Sequence, residues 1–142
     1  MTNQSQQNRC YSAALKMLMR REHSQLELLK KLQLKGFDDG TINSSISLLA
    51  EQNCQSDERF SEAFILMRYN QGKGPLKIAS ELKGRGINKF NLTAFDWSKL
   101  AKEVRIKKFG HGIPLDFKVQ AKQKRFLQSR GFGFDEINQA FL

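Results

Sequence analysis

What the chain lacks narrows it first. Two prolines in 142 residues, and few stretches dense in glycine, leave little of the punctuation that a many-stranded sandwich or barrel needs, so helix is favoured. Cysteine is nearly missing: Cys10 and Cys54 lie far apart with no CxxC and no clustered histidine. A metal site needs several ligands converging at once, so both are read as ordinary thiols of a reducing cytosol, with no metal and no cofactor. No apolar run approaches the roughly 20 residues of a membrane span. Met1 to Arg9 is polar, rich in Gln and Asn, and lacks the apolar stretch of a secretory signal. It reads as a disordered polar N-terminus (1–9) of a soluble, cytoplasmic protein with no membrane contact. Acid is in the minority too: 14 Asp and Glu face 24 Lys and Arg, a formal charge of +10. That imbalance favours polyanionic or acidic partners and does not determine a fold.

What the chain does have is self-similarity. A pattern L-x-x-[KR]-G-[FI] occurs three times, at Leu32 to Phe37, Leu82 to Ile87 and Leu127 to Phe132. A cation followed by Gly and an apolar residue is a helix C-terminus: the cation faces the negative end of the dipole and Gly takes the left-handed conformation. Asp38, Asn88 and Gly133 follow as N-caps for a further helix. Ile42, Leu92 and Ile137 then come five residues beyond the apolar residue of each turn. Upstream, an apolar stripe led by an aromatic residue recurs at i, i+3, i+4, i+7. Its three copies are Tyr11/Ala14/Leu15/Leu18, Phe60/Ala63/Phe64/Met67 and Trp97/Leu100/Ala101/Val104.

The expected unit is therefore helix, helix, tight Gly turn, helix. Three tandem three-helix repeats follow, at 10–55, 56–95 and 96–142, in an all-α, elongated and gently curved array. The third repeat is longer between stripe and turn, which places an insertion near 110–115, in a stretch rich in helix breakers. Ser24-x-x-Glu27 predicts a capping box, and Gly74-Pro75 predicts a helix start with proline at the first position. Gln123 and Lys124 replace the apolar pairs Leu28/Leu29 and Ile78/Ala79. Val119 and Phe126 are expected to supply that helix's buried face in a rotated register, with hinges near Asn53 to Ser56 and Phe95 to Asp96.

Charge rises along the chain. Residues 1–55 carry seven cations against five acids, 56–95 seven against four, and 96–142 ten against five. The candidate contacts for a polyanion are Lys99, Lys102, Arg105, Lys107, Lys108, Lys118, Lys122 and Arg125. The last three stand at i, i+4, i+7 and share one helix face. A solvated face is the bland account of such a stripe; total charge and clustering together weigh toward a binding surface.

Catalytic readings are poor, and the chain is expected not to be an enzyme. His23 precedes a capping box and reads as a surface residue, and His111 sits in a Gly-rich loop with no nucleophile nearby. Asn70 to Pro75 lacks the spacing of a phosphate loop and no strand precedes it, so it reads as an inter-helix turn. Tyr11, Phe60, Phe64 and Trp97 stand at core spacing rather than as a base-stacking platform.

The residues also resemble a known family. Arg21-Glu22-His23-Ser24-x-x-Glu27-Leu28, Asp57-x-Arg59-Phe60, Arg68 with Gly72-x-Gly74-Pro75-x-x-Ile78, and Arg125-Phe126-Leu127-x-x-Arg130-Gly131-Phe132 are similar, in order and spacing, to bacterial RecX regulatory proteins from Tyr11 onward. The resemblance implies a cytoplasmic, monomeric, three-repeat helical protein that lies in the groove of the RecA–DNA filament. It would dampen filament growth, ATP turnover, strand exchange and the co-protease activity behind the SOS response, and would bind single- and double-stranded DNA weakly and nonspecifically. Two other classes stay open. One is a stand-alone DNA-binding helical module, disfavoured because the would-be recognition helix Asp38 to Asn53 carries no cation. The other is a helical adaptor for an acidic protein.

Overall fold

The computed structural model describes residues 3–142. Eight helices follow in order: α1 (Asn3–Arg20), α2 (Gln25–Leu34), α3 (Asp39–Glu51), α4 (Asp57–Asn70), α5 (Pro75–Gly84), α6 (Trp97–Phe109), α7 (Phe117–Ser129) and α8 (Phe134–Gln139). No strand occurs among the described residues.

Capping chemistry places the boundaries. At the start of α2, Ser24 Oγ accepts from the Glu27 N–H and the Ser24 N–H donates to Glu27 Oε1, both at 3.1 Å. Asp38, Asp96 and Asp116 cap α3, α6 and α7 in the same sense through the N–H groups of Thr41, Lys99 and Lys118. Each satisfies a donor the helix cannot. The three Gly turns are alike. Gly36, Gly86 and Gly131 have φ of +91°, +79° and +100°. The N–H of the following residue reaches back to the carbonyl of Leu32, Leu82 or Leu127, the Schellman closure of a helix.

Several expectations change. The N-terminal segment is helical from Asn3 rather than disordered; Met1 and Thr2 lie outside the described residues. Glutamine is a good helix former, and extending a helix already anchored by Cys10 and Ala14 costs little once it is nucleated. The second repeat has no third helix: after Ile87 the chain runs irregularly to Asp96. Asn91 Oδ1 takes the Thr93 N–H (2.8 Å) and hydroxyl (2.6 Å), a local side-chain turn that competes with helix. Leu92 gives its carbonyl to Trp97 Nε1 (2.7 Å). Phe95 packs with Tyr69 and Trp97, ring centroids 4.7–5.5 Å apart.

Gln55 is buried and donates to the His23 carbonyl and to Asp57 Oδ1, while Phe95 belongs to the aromatic cluster. The third repeat keeps its register: Gln123 is buried in the position of Leu28 and Ile78, four residues before Leu127, and Val119 is exposed. The α4 stripe loses Met67 and Ala63 to solvent and turns toward Ser61 and Ile65. Between α6 and α7 residues 110–116 run irregularly.

Packing divides the chain through the second repeat. One compact unit is Met1–Ala63 with Leu82–Phe90, the other Phe64–Glu81 with Asn91–Leu142. The first is built on Cys10, Ala14, Leu28, Leu32, Ile42, Ile46 and Leu49. The second is built on Leu100, Ala101, Leu127, Phe132, Ile137 and Ala140. Inside each, a Gly turn receives the first turn of an earlier helix. Leu26 of α2 covers Gly86, and Lys77 of α5 covers Gly131. At the latter the Gly74 and Leu76 N–H groups also donate to the Arg130 and Gly131 carbonyls (2.8 and 2.9 Å).

Candidate polyanion interface

Helix α6 presents four of the eight expected cations. Lys99, Lys102, Lys107 and Lys108 are exposed along it, and Lys102 Nζ donates to the Leu142 carbonyl (3.1 Å). Arg105 does not join them. It is 1% exposed and cannot reach a partner, because its position shares the inward face with Ala101. Its Nε donates to the Ala140 carbonyl (2.8 Å), and Nη1 to those of Gly110 and Gly112 (both 3.3 Å). The guanidinium lies 5.2 Å from the Phe141 ring centroid. Two of those carbonyls belong to the C-caps of α6 and α8, where helix dipoles leave negative charge.

Lys107 and Lys108 line a groove of about 360 Å³ together with Tyr69, Gly72, Val104 and Arg130. A Cβ at Gly72 would meet Val104 Cγ2 at 3.0 Å, so glycine lets the α4–α5 turn sit close to α6. Lys108 and Arg130 both lie over the Phe126 ring, at 5.4 and 5.0 Å from its centroid, which fixes two cations on an aromatic platform. Nearby, partial burial and the charges of Arg130, Lys77 and Arg68 lower the Lys73 pKa below the ordinary lysine value. Lys73 and Arg130 were not singled out from the sequence, since each stands beside a glycine turn and reads as loop or cap.

On α7 the trio Lys118, Lys122 and Arg125 is exposed on one face, as the spacing predicts, and does not line the α6 groove. The structure gathers a further set that counting charge by segment hides. Arg9, Lys16 and Arg20 on α1 meet Lys31 and Lys35 on α2 around one groove. The signal was present as i, i+7, i+11 on one helix and i, i+4 on the next. The five acids of residues 1–55 cancelled it on paper while lying mostly elsewhere in space.

His23 is buried, not a surface residue. Its Nδ1 lies 3.0 Å from the Arg21 carbonyl and its Nε2 2.8 Å from Lys31 Nζ. A neutral ring with Nδ1–H donating and Nε2 accepting satisfies both. Burial is the main reason its pKa falls below the ordinary value, with Arg21 and Lys31 adding to it. Glu27, beside it, is pushed up by burial but pulled further down by hydrogen bonds and charge from Arg21 and by the Ser24 N–H. Among the described residues no group of His, Cys, Asp or Glu could hold a metal ion. No helix among them is long and apolar enough to cross a membrane.

Known proteins resemble this arrangement throughout. Residues 10–47, 56–92 and 98–141 match the first, second and third three-helix domains of RecX. The Regulatory protein RecX of Halorhodospira halophila is 38% identical over 134 residues, covering 90% of this chain and 83% of that protein. That of Acinetobacter baylyi is 36% identical over 133 residues, covering 91% and 84%. The crystal structure of RecX from Lactobacillus salivarius superposes with a TM-score of 0.80 at 21% identity, covering 96% of this chain and 94% of that one. With three domain matches, and relatives aligned over most of both chains, this protein belongs to the RecX family of regulatory proteins.

Proposed function

We propose that the chain binds the RecA–DNA filament and restrains it, lowering filament growth, ATP turnover, strand exchange and the co-protease activity of RecA in DNA repair and the SOS response. The observation that carries this is the cationic surface of α6 and α7. Lys107, Lys108 and Arg130 surround one groove and Lys118, Lys122 and Arg125 share an open helix face. A filament offers such a surface two kinds of counter-charge, acidic protein side chains and DNA phosphates. The proposed contacts are Lys99, Lys102, Lys107, Lys108, Lys118, Lys122 and Arg125, with weak, nonspecific binding to single- and double-stranded DNA. The protein would act as a cytoplasmic monomer without a cofactor.

Co-sedimentation tests it. Preformed RecA filaments on single-stranded DNA carry the chain into the pellet, at a salt concentration where DNA alone does not. Lys118→Ala/Lys122→Ala/Arg125→Ala weakens that association about tenfold. A chain that stays in the supernatant at stoichiometric excess contradicts the proposal; a triple variant that pellets normally removes α7 from the interface. Recovery of a different acidic protein, with RecA filaments unbound, favours the adaptor instead.

A further inference from the structure

We propose that the groove between α1 and α2 binds the phosphate backbone of single-stranded nucleic acid, as a site separate from the α6–α7 cations. The groove has a volume of about 630 Å³ and carries five cations: Arg9, Lys16 and Arg20 on α1, Lys31 and Lys35 on α2. No carboxylate lines it, and none of the ion pairs found among the described residues uses any of the five. All five are exposed. Arg9 and Lys35 also face the adjoining hollow, where Asp38 is engaged by the Thr41 N–H as the cap of α3.

The arrangement of the charges selects the ligand. Lys16 and Arg20, and again Lys31 and Lys35, are one i to i+4 step apart, about 6 Å along a helix. That is close to the separation of successive phosphates along a nucleotide strand. Two such rows on facing helices form a channel for a chain of regularly spaced anions. One row is partly set in place: Lys31 Nζ rests 2.8 Å from the neutral ring of buried His23, so its position is defined before a ligand arrives.

The floor argues against a protein ligand. Met17 is the single large apolar side chain lining the groove, beside Ala13 and Ser12. A bound acidic helix or peptide would find little apolar anchor there, and anchors carry most of the affinity of such contacts. No aromatic side chain lines it either. Bases have no stacking platform, so binding is to the backbone and indifferent to sequence.

The site rests on the proposed function only in that both have the chain meeting nucleic acid, and it can be tested without RecA. Fluorescence anisotropy of a labelled oligothymidylate of about 20 nucleotides, long enough for several phosphate contacts, is followed against salt for the full chain. Lys16→Gln/Arg20→Gln is compared with Lys30→Gln/Lys83→Gln, which removes the same charge from exposed positions off the groove. The groove variant should bind about tenfold more weakly and lose about 1.4 from the slope of log affinity against log salt, two contacts at roughly 0.7 each. The control should change far less. Equal losses in both variants, or competition by polyglutamate as strong as by unlabelled oligonucleotide, overturn the site. Normal oligonucleotide binding by a groove variant that still sediments with RecA filaments overturns the groove and leaves the proposed function standing. Groove-dependent oligonucleotide binding by a chain that ignores RecA filaments does the reverse.

Discussion

Arg105 brings a full charge into a place that is 1% exposed, and carbonyl oxygens are its hydrogen-bond partners there. Such a group is stable only while its charge is held by partners, and removing the head leaves the buried Ala140 carbonyl without its Arg105 donor. Arg105→Met keeps most of the stem and should still cost about 3 kcal/mol, read as a lowered midpoint in urea. Unchanged stability would mean that water replaces the guanidinium without penalty. Sequence alone placed Arg105 with the surface lysines because type and count do not distinguish a snorkelling cation from one turned inward. The discriminating signal was its i, i+4 relation to Ala101, on the same face as the apolar stripe.

His23 makes the residue scale pH-dependent. Its pKa is lowered in the folded chain from the ordinary 6.5, so below that value the unfolded chain takes up a proton the folded one resists. The contribution is therefore present in full above pH 6.5 and is lost as pH falls from there toward the folded value. Denaturation at about pH 7.5 and about pH 5.5 should show the protein weaker at the lower pH, by a smaller margin in His23→Gln. A stability that rises on acidification would contradict the buried neutral ring. Glu27, also lowered, acts only below its ordinary 4.5, outside that window.

At the scale of elements, the three Gly turns share one hydrogen-bond closure but not one environment. A Cβ at Gly36 meets nothing within 4 Å, while at Gly131 it would run into the Lys77 backbone and Cβ. Alanine in the left-handed conformation costs about 1 kcal/mol at either position. Gly131→Ala should therefore destabilise clearly more than Gly36→Ala, and thermal melts of the two variants check the order. Equal shifts would mean that the α5 turn does not press on Gly131.

The turns, the caps at Ser24 and Asp38, and the proline start of α5 were legible because each is written in neighbouring residues. The third helix expected after Ile87 was not, because Asn91, Thr93 and Phe95 are committed to local turns and to the cluster with Tyr69 and Trp97. Gln123 departs from expectation for a related reason. A polar residue in a core register predicts a rotated helix, whereas the helix keeps its register and buries the amide. Its Oε1 finds no hydrogen-bond partner among the described residues, and the neighbouring Leu127, fully buried, holds the register.

For the whole molecule, much of a net charge of +10 is carried by the α6 groove, the α7 face and the α1–α2 groove. Segment totals made the C-terminal third look like the sole site, because opposite charges that cancel in a tally need not be neighbours in space. The α6 and α7 surfaces are proposed to serve the restraint of a RecA filament. The direct measurement is RecA ATP turnover on single-stranded DNA, titrated with this chain beside a control protein that binds DNA alone. Turnover should fall at substoichiometric amounts of the chain, and the DNA-only control should not reproduce the effect. Turnover unchanged at stoichiometric excess, or lowered equally by the control, would contradict it.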